Sequence, residues 1–293
     1  MNARDAFALS GLLTGAGIRD IDLLGGEPTL VSWIDDFVGC VVDSGIALNI
    51  STNGSSPDAL HRLSQIPSDL INIGVSLHGF SRIHNTLVGA DHFSKAVTGI
   101  KKMIANSKAP IVKSVLTREN MHEIQSLVHH LGDLGVKKYF LLHEDIIGTK
   151  KPQPNYSYPE FRAFYAKLKE ESGDTMYIGF VAASAFYKYG KQSSGRCDAG
   201  TKKIAVMPDG SVFPCNLFSG FKEFRLGNIF RESIDDILKH PILDYFRQYA
   251  GDNGCELRDC EYYPACAGGC PAHSYSYYGT MDAADPRCRK SAG

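Results

Sequence analysis

Between about residue 12 and residue 143 this 293-residue chain repeats one unit: a short apolar run, a glycine or polar turn, then an amphipathic segment. The runs IRDIDLL, IALNIS, LINIGVSL, APIVKSVL and KKYFLLH are rich in β-branched residues and bounded by turn residues, and so read as strands. Between them, WIDDFVGCVVDSG, SPDALHRLSQ, HFSKAVTGIKKMIANS and MHEIQSLVHHLGDLG carry apolar residues every three or four positions and read as helices. A helix after each strand lets the next strand run parallel to the last, through right-handed crossovers. The fold class is therefore α/β, either a doubly wound sheet or a full or partial (β/α) barrel. Both place their ligands at the carboxyl ends of the strands.

Those ends carry polar or glycine motifs: GGEP after IDLL, STNG after LNI, SLHG after IGV, TREN after SVL and HED after FLL. In the first, Gly25 and Gly26 let the backbone turn tightly, Glu27 offers a carboxylate to a cation, and Pro28 fixes the exit. The tetrapeptide alone also suits a turn with a helix-capping acid. Beyond residue 143 a Pro/Asn-rich link, KPQPNYSYPEF, enters the helix EFRAFYAKLKEES, and MYIGFVAASAFYKYG runs to a Gly/Ser break, KQSSGRC. IAVMPDGSVFPC reads as a hairpin turning at Asp209-Gly210, and ESIDDILKHPILDYFRQYA supplies one or two helices. We expect a boundary near residue 190, with a barrel-like domain over 1–189 and a small cysteine-rich α+β domain over 190–293.

Of eight cysteines, Cys197, Cys215, Cys255, Cys260, Cys266, Cys270 and Cys288 crowd the last third, and Cys40 stands alone in a helix as an inert buried thiol. The amino terminus is amphipathic and lacks the pattern of a signal peptide, so metal or iron–sulfur ligation is a better reading than a secreted disulfide framework. Zinc also accepts four thiolates. A net charge of −1 without a Lys/Arg run argues against nucleic acid, and no apolar run reaches the roughly 18 residues of a membrane span, so a cytoplasmic protein is expected.

GGEPTL, ISTNG and GVSLHG followed by HNTLVG resemble the cofactor face of the radical SAM superfamily, a partial (β/α) barrel that binds S-adenosylmethionine at its strand ends. The resemblance continues through the tail. Cys197, Gly210-x4-Cys215, Cys260-x5-Cys266-x3-Cys270 and Cys288 follow the order of the SPASM group, whose members include anaerobic sulfatase-maturating and peptide-modifying enzymes. It implies that Gly25, Gly26 and Glu27 grip the methionyl amino group, and that Ser51, Asn53 and Ser76 lie near the ribose and carboxylate. It implies two auxiliary [4Fe-4S] clusters, one on Cys197, Cys215 and Cys270, the other on Cys255, Cys260, Cys266 and Cys288. The first set is one thiolate short, with Asp198 and His273 near in sequence.

Two departures stand out. Cys255-x4-Cys260 replaces the group's Cys-x2-Cys, whose first position here is Leu257. The catalytic Cys-x3-Cys-x2-Cys, expected on a strand ahead of GGEP, has no counterpart in the 24 residues before Gly25. The first strand of the barrel is thus expected to be missing, and a truncated form of a longer enzyme is expected over natural loss or supply by another polypeptide. The implied activity is an oxidoreductase that acts on a peptide or protein through a 5′-deoxyadenosyl radical, with electrons from a flavodoxin or ferredoxin. The alternative is a catalytically silent iron–sulfur protein that binds a peptide or a redox partner. His143, Glu144 and Asp145 are expected at the mouth of the strand-end site.

Overall fold

The computed structural model describes residues 1–147, 154–182, 197–247, 263–266 and 268–288. The fold divides into two compact units, residues 2–142 with 161–181, and residues 143–160 with 182–293.

The first unit is built on six parallel strands, β1 (Asp20–Leu23), β2 (Ala47–Thr52), β3 (Ile71–Ser76), β4 (Ile111–Val115), β5 (Lys138–Leu142) and β6 (Tyr177–Val181), in the order β1-β2-β3-β4-β5-β6. Every neighbouring pair is consecutive in the chain, as expected of a right-handed βα wind. Helices α1 (Ala3–Gly15), α2 (Ile34–Asp43), α3 (Pro57–Gln65), α4 (Ser81–Val88), α5 (Phe93–Ala105), α6 (Met121–Asp133) and α7 (Tyr158–Ser172) complete the order.

Alternation along each strand sorts the side chains into two faces. Leu48, Ile50, Ile73, Val75, Val112 and Leu141 are buried, together with Phe37 and Val38 of α2, Leu60 and Leu63 of α3, Ile100 and Met103 of α5, and Leu127 and Leu131 of α6. These apolar residues form the core. The intervening residues, among them Asp22, Asn49, Ser51, Asn72, Ser76 and Lys113, are partly or fully exposed. Such a sheet has one dry face and one wet, polar face. Asp22, Asn49 and Asn72 stand in register across β1, β2 and β3. Their side chains form a ladder, Asn72 Nδ2 donating to Asn49 Oδ1 at 3.1 Å and Asn49 Nδ2 to Asp22 Oδ1 at 2.9 Å.

The five expected strands and the helices between them are present. Helix α4 and strand β6 form in addition to the expected elements, over residues 81–88 and 177–181. Cys40, expected to be buried, is exposed. Helix α2 buries Phe37, Val38, Val41 and Val42, and Cys40 lies about 200° round the helix from Val38, on the outer side.

In the second unit, β7 (Ala205–Val206), β8 (Ser211–Phe213) and β9 (Gly227–Asn228) form an antiparallel sheet in the order β7-β8-β9. The expected Asp-Gly turn joins β7 to β8. Gly210 has φ +82°, and Asp209 Oδ1 accepts the Ser211 N–H at 3.0 Å. Short helices α8 (Ile234–Ile237), α9 (Leu243–Arg247), α10 (Tyr263–Cys266) and α11 (Pro271–Tyr278) follow. No helix among the described residues is long and apolar enough to cross a membrane.

Candidate cofactor and cluster sites

At the end of β1, Gly25 (φ +80°) and Gly26 (φ +50°) both take the left-handed conformation that glycine adopts without penalty. The turn delivers Glu27 to the end of the next strand. Its Oε1 accepts from Thr29 N (3.1 Å), Thr29 Oγ1 (2.6 Å) and Thr52 Oγ1 (2.6 Å), and its Oε2 from Asn53 N (2.7 Å). The GGEP and STNG motifs are thus joined through one carboxylate. Oε2 retains capacity for a further donor, such as an ammonium. Asn53 Oδ1 accepts Ser55 N at 2.8 Å, so that side chain caps its own turn.

Ser51 and Ser76 sit on the polar face of β2 and β3. Between them reaches a residue that the sequence reading passed over. Lys113, on β4 and level with Ser76, places Nζ 2.9 Å from Ser51 Oγ. Burial lowers the pKa of this ammonium, an effect that Asp22 opposes. The floor of the strand-end site therefore carries a partly desolvated cation beside the Ser51 hydroxyl.

His78, of SLHG, closes the ladder between β3 and β4 by accepting the Val115 N–H on Nδ1 at 3.2 Å. The His78 backbone N–H donates to His84 Nδ1 at 3.0 Å, and the two rings stack with centroids 5.7 Å apart. Burial, helped by the charges of His78 and His92, pushes His84 down to about 4, so this imidazole is neutral at physiological pH. These histidines join strand ends and fill the core.

In the second unit, Cys215 and Cys270 are buried and Cys197 is half-buried. Burial pushes Cys215 up to about 11 and Cys270 further, and the charge of Cys197 raises both. Ala199 N lies 3.4 Å from Cys197 Sγ, and the Phe218 N–H donates to the Cys215 carbonyl at 3.1 Å. Buried thiols that resist ionisation become thiolates when a cation compensates the charge, and soft thiolate donors of this kind suit an iron–sulfur cluster. Among the described residues no three His, Cys, Asp or Glu side chains are grouped to hold a single metal ion.

Cys255 and Cys260 lie outside the described residues. Of their expected partners, Cys266 closes α10 and its carbonyl accepts Gly269 N at 2.8 Å, while the Cys288 N–H donates to Asp285 O at 2.8 Å. Asp198 is paired with Lys202 at 3.4 Å. His273 is buried, and its Nε2 accepts the Ile146 N–H at 3.1 Å. That bond commits the lone pair of the neutral ring and leaves the proton on Nδ1, so neither nitrogen offers a ligand in this tautomer. His143 is equally buried, with Nε2 2.9 Å from Tyr156 O, and burial and the nearby Arg287 push it down to about 4. Its ring packs against that of Tyr158, with centroids 6.0 Å apart.

Residues 197–271 match the SPASM family, described as an iron–sulfur cluster-binding domain. A sheet of parallel strands lies ahead of it in the chain, an arrangement similar to that of radical SAM enzymes that carry a SPASM domain. The chain is 25% identical to the antilisterial bacteriocin subtilosin biosynthesis protein AlbA of Bacillus subtilis, over 88% of this chain and 58% of that protein. It is 23% identical to a PqqA peptide cyclase of Methylobacterium sp., over 96% of this chain and 76% of the cyclase. The fold is shared with Streptococcus suis SuiB, at a TM-score of 0.81 and 19% identity, over 99% of this chain and 71% of SuiB. The chain therefore spans little more than half the length of AlbA and about three quarters of the cyclase.

Proposed function

We propose that this chain is the body of a radical SAM/SPASM oxidoreductase that modifies a peptide or protein. The observation that carries the reading is the joining of GGEP to STNG through Glu27, on a chain whose residues 197–271 are an iron–sulfur SPASM domain. Relatives named as a bacteriocin biosynthesis protein and a peptide cyclase, and a SuiB structure with bound precursor peptide, support a peptide as substrate. A SuiB structure with bound S-adenosylmethionine supports the cofactor.

In this reading residues 1–189 hold S-adenosylmethionine and residues 190–293 hold the auxiliary clusters. When bound and reduced, the cofactor supplies hydrogen-atom abstraction, which no side chain of the protein can perform. Glu27 and the carbonyls of Gly25 and Gly26 take the methionyl ammonium, and Ser51, Asn53 and Ser76 line the ribose and carboxylate. Cys197, Cys215 and Cys270 hold one auxiliary cluster, and Cys255, Cys260, Cys266 and Cys288 the other. A small cytoplasmic electron carrier, a flavodoxin or ferredoxin, is the reductant.

The activity requires a Cys-x3-Cys-x2-Cys cluster segment that this sequence does not contain, and we assign it to residues encoded upstream. The same observation favours a second reading, a catalytically silent iron–sulfur protein that binds a peptide or a redox partner. Sequencing the DNA ahead of codon 1, and assaying the native gene product anaerobically with S-adenosylmethionine and dithionite, separates the two. 5′-Deoxyadenosine is the expected product. Its absence, with no upstream cysteine motif, would rule out the enzyme.

A further inference from the structure

We infer that Asp285 and Arg287 form a positioning pair for the auxiliary cluster assigned to Cys270, holding that cysteine's backbone in place and setting the cluster's reduction potential through the buried guanidinium. This rests on the iron–sulfur reading of the cysteines. Arg287 is the largest fully buried side chain of the described residues, and Asp285 is 1% exposed. Arg287 Nε and Nη2 donate to Asp285 Oδ1 and Oδ2 at 3.0 and 2.8 Å, while Nη1 donates to Glu144 O at 3.0 Å and Asp145 Oδ1 at 3.3 Å.

The acid does more than neutralise the arginine. Its Oδ2 also accepts the Cys270 N–H at 2.9 Å, its Oδ1 the Arg287 N–H at 2.9 Å, and its own N–H donates to Gly268 O at 2.8 Å. The contact is close enough to require glycine at residue 269, where a Cβ would lie 2.3 Å from Asp285 Cβ. Asp285 O in turn accepts the Cys288 N–H. One ion pair thus fixes the backbone at a cysteine assigned to each cluster. Two buried charges with their hydrogen bonds satisfied cost desolvation that a hydrophobic pair avoids, so the pair adds little stability by itself and acts through the backbone and the charge it places beside Cys270.

A desolvated cation beside a cluster favours the reduced, more negative state and raises the potential, and an anion lowers it. The two charges are held against each other beside Cys270, so removing the guanidinium alone leaves the buried Asp285 carboxylate uncompensated there and lowers the potential. Asp145, which faces the same guanidinium from its exposed side, weakens that field.

The test is an EPR-monitored redox titration of the anaerobically reconstituted full chain, with iron counted and circular dichroism recorded for each variant. Arg287→Gln should lower the potential of one cluster by a factor of ten or more in the reduced-to-oxidised ratio, which is 59 mV for a one-electron couple. Arg287→Lys should keep the charge and most of the potential but lose iron faster to a chelator, and Asp145→Asn should shift the potential upward. Unchanged potentials in iron-replete Arg287→Gln and Asp145→Asn proteins overturn the inference. Should Arg287→Gln fail to take up iron, an unmoved potential in Asp145→Asn overturns it alone. Wild-type protein that binds zinc and no iron overturns the underlying iron–sulfur reading instead.

Discussion

The side chain of Lys113 passes so close over Gly74 that a methyl group on residue 74 would lie 2.3 Å from Lys113 Cε and 2.6 Å from Nζ. Glycine at this point of β3 is what lets a lysine on β4 reach a serine on β2. Gly74→Ala should displace the flexible lysine and leave the sheet intact. The Lys113 pKa should then rise toward the ordinary lysine range, read by nitrogen NMR of Nζ, and S-adenosylmethionine affinity should fall several-fold. A Lys113 signal that titrates as in the wild type would show that the crossing does not depend on the glycine.

Glu27 is structural as well as a candidate ligand. Four donors converge on its carboxylate, two of them on the buried Thr29 and one on the buried Thr52. Glu27→Ala strands those donors and should cost about 2–3 kcal/mol in urea unfolding, along with cofactor binding. Glu27→Gln keeps one acceptor oxygen and should be less unstable while still losing affinity. Equal stability of Glu27→Ala and wild type would contradict this.

The two assigned cysteine sets should behave as separate cofactors. Two cubanes imply about eight irons per chain. Cys215→Ala or Cys270→Ala should remove about four of them and one EPR signal, and Cys266→Ala should remove the other. Loss of every iron from a single substitution, or an unchanged count, would refute the division.

His84 should make the chain acid-sensitive. Its folded pKa, about 4, lies below the 6.5 of an unperturbed histidine, so between these values the unfolded chain takes up a proton that the folded one refuses. Stability is therefore full above pH 6.5 and is lost as pH falls toward 4. His84→Gln should reduce the loss between pH 7 and 5 by on the order of 1 kcal/mol, measured by urea melts at both pH values. An identical loss in the variant would place the sensitivity elsewhere.

How legible these features were depended on how local their causes are. Strands β1 to β5 and helices α2, α3, α5 and α6 announce themselves because their apolar periodicity lies within a dozen or so residues. Helix α4 hides because a histidine, His84, takes a core position where an aliphatic residue would show the pattern. Strand β6 hides because Gly179 interrupts its apolar run, a gap that Phe140 of β5 fills in space. Cys40 was misjudged from the habits of its residue type rather than from its angle on α2. At the sites, the glycine and acidic motifs could be read directly. Thr52, Lys113 and Asp285 could not, since each matters through a partner that only folding brings near: Glu27 lies 25 residues from Thr52, and Ser51 lies 62 from Lys113.

The network around Arg287 also dictates when the thiol site can exist. Its bonds reach back 142 and 143 residues, to Asp145 and the Glu144 carbonyl, and Asp285 reaches back 15 to Cys270. A nascent chain that ends short of residue 285 has neither the carboxylate that positions Cys270 nor the arginine that bridges to residues 144 and 145. During translation, the six described strands of the first unit are complete more than a hundred residues earlier, at Val181. Synthesis therefore separates the two in time: the strands of the sheet are all available before the contacts that position Cys270, which need residues 285–287.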